Sequence, residues 1–475
     1  MTETPLHDLT IAELGRLIRA RDLSPITLTE HLLARIEALN ERLNAFNLVV
    51  ADRAMREAEA AERQLQAGQR VGPLHGIPYG VKDIFDVGGL PTTAGSRTLG
   101  ENIAERDCTV TRQLREAGMI VLGKTITVEF AKGIAGINHI QGTPHNPWHE
   151  AHHIPGGSSA GSAVAVAAGM APMALGSDTG GSVRAPASFC GTVGLKTTVG
   201  RVSRHGVFPL SWTLDSVGPL TRSVEDAALV YQAMQGEDRG DDATVGVETH
   251  DVLPNLKVGV KGLRVGIPRD FFFDDVDPEV EKAIASCAAV FREFGAHVEE
   301  IAYPEALAAQ AIRPSISSVE ACVIHAERLR TMVDEMDHVV GPRMLEDLKR
   351  PAMDYADALR TMHALRREQL AGSLRDIDIM LTPTVPEAAP LVATFETTLE
   401  DYGILSKHFS DNTATGNVLG LCGLSVPCGM STKGLPIGLM IYAKPFAEEV
   451  LLRAGYAYEQ ATEWGREHPD LSWAT

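Results

Sequence analysis

The segment PGGSSAGSAVAVAAG, Pro155 to Gly169, is followed after a short gap by GSDTGGSVRAPASFCG, Gly176 to Gly191. Both are dense in glycine and small hydroxyl residues, a texture that calls for a physical reason. Glycine lets the backbone pass close to a ligand and take positive φ, and consecutive free N–H groups beside a helix start can cradle an anion. The anion is a phosphate or the transient oxyanion of acyl transfer. A Walker loop needs Gly-Lys-Ser/Thr and a dinucleotide loop needs G-x-G-x-x-G, and neither segment carries either pattern. A sharper rival is the nucleophile elbow, because Gly157 to Gly161 satisfy G-x-S-x-G with Ser159 as nucleophile. The context argues against it: an elbow follows an apolar strand, whereas HEAHHIPG, His149 to Gly156, is polar and proline-containing.

Around these segments the pattern alternates between strands and helices. GIPYGVKDIF (Gly76 to Phe85), MIVLGKT (Met119 to Thr125) and the start of MALGSDTGG (from Met173) read as short buried strands joined by functional loops. Upstream, Ser24 and Pro25 form an N-cap and first-turn proline, and Leu28, Leu32, Ile36 and Leu39 recur at helical spacing. A second, charged helix is expected over Arg53 to Gln66. Downstream, residues 236 to 260 are acidic and weakly patterned and read as a surface excursion. LRVGIP (Leu263 to Pro268), a helix opened by Asp277 and Pro278, and HVEEIAYP (from His297) make a βαβ pattern. The stretch to Arg375 reads as mainly helical. DIMLTPT (Asp378 to Thr384) and GLMIYA (Gly438 to Ala443) are strand candidates, and Glu448 to Glu459 a closing helix. Alternation on this scale predicts one α/β domain over 1–475. Within it we distinguish a helical region 1–70, a glycine-serine region 71–235, a more helical variable region 236–375 and a sheet-completing region 376–475.

Composition narrows the function classes. Of 475 residues 44% are hydrophobic and 22% charged, as in globular proteins. Lys and Arg number 43 against 62 Asp and Glu, a net charge of -19 that repels a phosphate backbone, so nucleic acid is not an expected partner. The six cysteines form no CxxC pair and no zinc spacing, and read as reduced, mostly core thiols. The polar amino terminus lacks a basic flank and apolar core, and no stretch approaches the ~20 apolar residues of a membrane helix, so a cytoplasmic protein with no membrane partner is expected. His145, His149, His152 and His153 sit in polar, loop-like sequence with no H-E-x-x-H pattern and read as surface histidines, so no metal site is expected.

Taken together, GIPYGVKD with Lys82, the two glycine-serine segments and their continuation to Lys196 resemble the amidase-signature family. The resemblance runs on through GRVSRHGV, LDSVGPLTRSVEDAAL and the late GLSVPCG and GLPIGLMI, and covers most of the chain beyond about residue 70. Ala160, where many members carry glycine, is a small departure. The resemblance implies an α/β/α layered fold around a large mixed, twisted sheet. Residue by residue it implies Ser182 as nucleophile, Ser158 as a bridging serine after a cis peptide at Gly157, and Lys82 as base. Thr179, Gly180 and Gly181 match the backbone oxyanion hole. Ser159 then reads as supporting, as do Asp178 and Arg184, which bracket Ser182 and can pair to brace its loop; Asp83 and Glu129 have no evident partner.

The chemistry is coherent in its own terms. A serine needs an adjacent base, and a lysine serves if burial lowers its pKa from ~10.4 towards ~7 to 8, within the range known for buried lysines. Neutral Lys82 takes the Ser158 proton while Ser158 takes that of Ser182, and the relay reverses to protonate the leaving amine. The expected reaction is hydrolysis of a small-molecule amide or carbamate, the carbamate including urethanes, with no cofactor. The acyl pocket is expected between 125–137, 208–214, 312–323 and 412–417, whose apolar residues hint at an apolar or aromatic acyl group. The sequence is also similar to the glutaminase component of glutamyl-tRNA amidotransferase, which would require partner subunits; a homodimer is a further assembly open to it.

Overall fold

The parallel pairing of two short buried strands, β2 (Pro78–Lys82) and β4 (Met173–Asp178), organises everything near the glycine-serine segments. The structure, a computed structural model, describes residues 4–475; Met1 to Glu3, part of the polar amino terminus, lie outside them. Around this pair the described residues build one 11-stranded sheet in the order β1-β3-β2-β4-β6-β5-β10-β11-β9-β7-β8. The other strands are β1 (Phe46–Val49), β3 (Ile120–Thr125), β5 (Val193–Lys196), β6 (Ser216–Thr221), β7 (Arg264–Pro268), β8 (His297–Ile301), β9 (Ile379–Pro383), β10 (Cys422–Met430) and β11 (Pro436–Ala443). The sheet is mixed: β2 runs parallel to β3 and β4, β7 runs parallel to β8 and β9, and the remaining pairs are antiparallel.

Every residue of β2, β3, β4, β6, β9 and β11 is buried, so both sheet faces are covered by helices, as continuous apolar runs require. The edge strand β8 instead exposes His297, Glu299 and Glu300, charge that discourages edge pairing. The fold is the α/β amidase-signature arrangement that the resemblance implies.

The helix signals hold in detail. Ser24 Oγ accepts the Ile26 N–H at 3.1 Å, Pro25 opens the helix Pro25–Leu43, and Leu28, Leu32, Ile36 and Leu39 are at most 2% exposed. Each such side chain contributes about 1.5–3 kcal/mol of burial. Asp277 caps the helix Pro278–Glu293 in the same way, giving the parallel β7 and β8 their crossover. The apolar run after Ser159 splits into the helix Ala160–Ala167 and β4. All six cysteines are free and buried, and no helix among the described residues is long and apolar enough to cross a membrane.

Candidate active site

Because β2 and β4 are parallel neighbours, with Val81 opposite Leu175, their carboxyl ends deliver Lys82 and Ser177 to the same place. Crevices at strand carboxyl ends are where open α/β sheets bind ligands. Lys82 is fully buried; its Nζ lies 2.7 Å from Ser158 Oγ and 2.8 Å from Ser177 Oγ. Burial lowers its pKa to about 7, against the opposing pull of Asp178 and Asp215.

Ser158 follows a cis peptide bond after Gly157. A Cβ at Gly157 would lie 2.7 Å from the Gly136 nitrogen, so only glycine lets the two loops touch. The Ser159 N–H donates to the Ser182 carbonyl at 3.2 Å, which joins the two glycine-serine segments, and Ser159 Oγ reaches only the Ser177 carbonyl at 3.4 Å. Ser182 is 7% exposed, lines an open cleft, and its hydroxyl makes no hydrogen bond to a described residue. Catalytic hydrogen bonds are often long before substrate binds.

The Ser182 loop is braced from beneath. Asp178 Oδ2 accepts Arg184 Nε at 2.9 Å and Oδ1 accepts Nη2 at 2.8 Å, both side chains being fully buried. The same carboxylate accepts the Gly181 and Val183 N–H groups at 2.8 and 3.1 Å. Burial alone would push this carboxyl up, but the Arg184 guanidinium, the nearby Lys196 ammonium and the Asn417 amide hold it well below the usual carboxylate range. Arg184 donates further to the Tyr442 hydroxyl at 2.7 Å and to Asn417 Oδ1 at 2.7 Å, and it is fully buried and does not line the cleft, so it braces the loop instead of meeting a substrate carboxylate. Gly181 has φ +123°, and a Cβ there would lie 2.1 Å from Thr413 Oγ1. Thr413 in turn donates to the Gly180 carbonyl at 2.8 Å, and Thr179 Oγ1 donates to Asp215 at 2.5 Å. Of the backbone donors, the Gly181 N–H is engaged by Asp178, while those of Thr179, Gly180 and Ser182 make no hydrogen bond among the described residues.

The cleft above Ser182 encloses about 830 Å³. Residues 131–134, Leu210 and the helix Glu305–Ile324 line it as expected, but the fourth wall is 399–410 with 342–350 rather than 412–417, whose Thr413 and Asn417 are buried beneath the loop. Its lining is richer in cations than the apolar hint predicts, with Lys132, Arg313, Arg343, Arg350 and Lys407 all on it. The apolar character lies in a smaller adjoining cavity of about 290 Å³ bounded by Ser177, Phe208 and Trp212.

Several residues without a clear reading now have one. Asp83 forms a fully buried ion pair with Lys124 at 2.8 Å, and Glu129 accepts the Asp337 N–H at 2.8 Å while burial raises its pKa to about 7. His153, read as a surface residue, is buried with Nδ1 2.6 Å from the Ala389 carbonyl; His149 and His152 are exposed. His139, Asp337 and His338 gather closely enough to hold a cation, yet the Asp337 carboxylate is occupied by the His139 ring and by the His139 and Val339 N–H groups. Ser177 was not singled out by its sequence; its one signal is its place near the carboxyl end of β4, just before the Ser182 loop.

A sheet of this order, carrying a buried lysine, a serine after a cis peptide and a braced Gly-Gly-Ser loop, defines a class of carbon–nitrogen hydrolases. The profile of the Amidase family matches residues 27–452, and the chain belongs to that family. Among its relatives, the A-type subunit of the glutamyl-tRNA(Gln) amidotransferase of Geobacter sp. (strain M21) is 37% identical over 97% of this chain and 98% of its own. Native peptide amidase from Stenotrophomonas maltophilia superposes with TM-score 0.87 at 31% identity, over 98% of this chain and 99% of that one. The corresponding glutamyl-tRNA(Gln) amidotransferase subunit from Thermotoga maritima gives TM-score 0.82 at 31% identity, over 97% and 96%.

Proposed function

We propose that the chain hydrolyses the carbon–nitrogen bond of a small amide through an acyl-enzyme on Ser182, with Ser158 as proton bridge and Lys82 as general base. The observation that carries this reading is a fully buried Lys82, its pKa brought to about 7, at 2.7 Å from Ser158 and beneath a cleft that reaches Ser182. Neutral Nζ accepts the Ser158 proton as Ser158 accepts that of Ser182, whose oxygen attacks the carbonyl. The free N–H groups of Thr179, Gly180 and Ser182 are the donors offered to the oxyanion; Gly181 serves by its conformation, its N–H being turned to Asp178. The proton returns through Ser158 to the leaving nitrogen, and water releases the acid. We take 1–475 as one domain, since strands from Phe46 to Ala443 share the sheet, and keep the cytoplasm as its expected compartment.

For the substrate, the name carried by the relatives favours glutamine, with ammonia passed to a partner subunit. The likeness to peptide amidase favours a second reading, a stand-alone amidase taking amides or carbamates. The purified chain is assayed alone with glutamine, aryl amides and aryl carbamates, following ammonia and arylamine. Ammonia from glutamine supports the first reading; arylamine release supports the second. Under both, Ser182→Ala abolishes turnover and labelling by a serine-directed phosphonate. A folded Ser182→Ala protein that still turns over, or that is labelled at Ser159, overturns the assignment of the nucleophile.

A further inference from the structure

The cations of the cleft are not equivalent. Lys132 and Arg350 share Asp347 at 3.1 Å each, Lys407 pairs with Asp411 at 2.7 Å, and the Arg343 guanidinium lies 5.1 Å over the Tyr402 ring. Arg313, on the helix Glu305–Ile324, has none of these. Its Nη1 donates to Ser410 Oγ at 3.1 Å, its Nε is buried without a hydrogen-bond partner, and among the described residues no carboxylate is within ion-pair distance. The buried or half-buried Arg184, Arg201 and Arg204 each meet a carboxylate, and Arg366, which meets none, spends its Nε and Nη2 on the Val418 and Asn417 carbonyls, whereas the Arg313 Nε has no acceptor at all. The position of Arg313 is also specific: Nη1 lies 3.7 Å from where a Cβ on Gly180 would stand, beside the loop that carries Ser182.

Arg313 is half-buried at the cleft wall, and a guanidinium partly withdrawn from water with its Nε buried and no counter-ion is costly, while its planar fork matches a carboxylate. We propose that Arg313 is the specificity-determining residue for the acyl side of the substrate, where it receives a carboxylate borne by the acyl chain. This rests on the reading of Ser182 as nucleophile and adds to it the residue that would select short amides with an anionic acyl end over uncharged ones. Burial draws down the Arg313 proton affinity, Asp411 opposes this and Arg343 reinforces it, so a bound carboxylate supplies the compensation that the protein leaves out.

The test compares glutaryl 4-nitroanilide with pentanoyl 4-nitroanilide, which share a leaving group and differ in the terminal charge. The parent should favour the glutaryl substrate in kcat/KM, and Arg313→Met should reduce the ratio of the two values about 10- to 100-fold, the range of a hydrogen bond to a charged group. Arg313→Lys should restore part of that ratio. If Arg313 only ties its helix to Ser410, both substrates suffer alike and the ratio stands, which overturns the proposal. A parent labelled at Ser182 by the phosphonate but showing no preference for the glutaryl substrate, or no turnover of it, also overturns it while leaving the nucleophile intact. Absence of labelling as well overturns the functional reading itself.

Discussion

Lys82 Nζ and Ser177 Oγ lie 2.8 Å apart at the ends of adjacent parallel strands, so the lysine is held by two hydroxyls, Ser158 and Ser177, rather than one. A neutral amine has two N–H bonds and one lone pair. With Ser158 presenting its proton to the lone pair, an N–H donated to Ser177 fixes the direction in which that pair points.

Ser177→Ala therefore removes a positioning contact and not a reacting group. The expected loss in kcat/KM is about 10-fold, the value of one hydrogen bond to a potentially charged partner. Because Ser177 also stabilises the ammonium form by accepting from it, its removal should move the acidic limb of the pH profile to lower pH. Ser177→Thr should keep most of the activity. A pH–rate profile for Ser177→Ala with the parental limb would argue that Ser177 only packs.

The brace beneath Ser182 gives a stability prediction. Asp178→Asn leaves the Arg184 guanidinium fully buried with no counter-ion, and breaking such a pair costs about 3–5 kcal/mol. Thermal unfolding of Asp178→Asn should show a large drop in Tm. The folded-state pKa of Asp178 is depressed, so its contribution is fully present above the ordinary carboxylate pKa and fades as pH falls through and below it. The Tm difference between parent and variant should accordingly narrow on acidification; a constant difference from neutral to acidic pH would refute the assignment.

How much of this was legible in the sequence follows from how local each signal is. Strands β2, β3 and β4 sit in short apolar segments that lead directly into the motif residues, and the Ser24–Pro25 and Asp277–Pro278 helix starts are dipeptide signals, so they can be read by eye. The helix Ile11–Ala20 carries a reciprocal cap between Thr10 and Glu13, a fainter signal beside the Ser24–Pro25 start. Strands β6 and β10 are hidden because Pro219 and Pro427 lie inside them, and β5 because it has only four residues, so only sheet neighbours reveal them. At the site, Lys82, Ser158 and Ser182 stand out through their motifs. Arg313 does not: it falls in a segment, 312–323, read only as a pocket wall, with Pro314 beside it inside the helix, and only the packing of Glu305–Ile324 over the Ser182 loop makes its lack of a partner meaningful.

The last prediction concerns the protonation of Lys82. Burial disfavours its ammonium form and brings the pKa to about 7, so the working amine is gained as pH rises and lost as pH falls through that value. The parent's kcat/KM should therefore climb through a limb centred near pH 7 and level off on the alkaline side. Lys82→Ala should lose about 10²- to 10⁴-fold, the usual contribution of a positioned general base, together with that limb. Lys82→Arg keeps a long cation in place but cannot accept a proton, and a guanidinium has to fit between Ser158 and Ser177, so it should be no better. The measurement is kcat/KM from about pH 5 to 10 for the parent and both variants on one activated amide, with circular dichroism at each end of the range. A folded Lys82→Arg protein working at near-parental rates would eliminate lysine as the base and leave the Ser158 proton without an acceptor in this site.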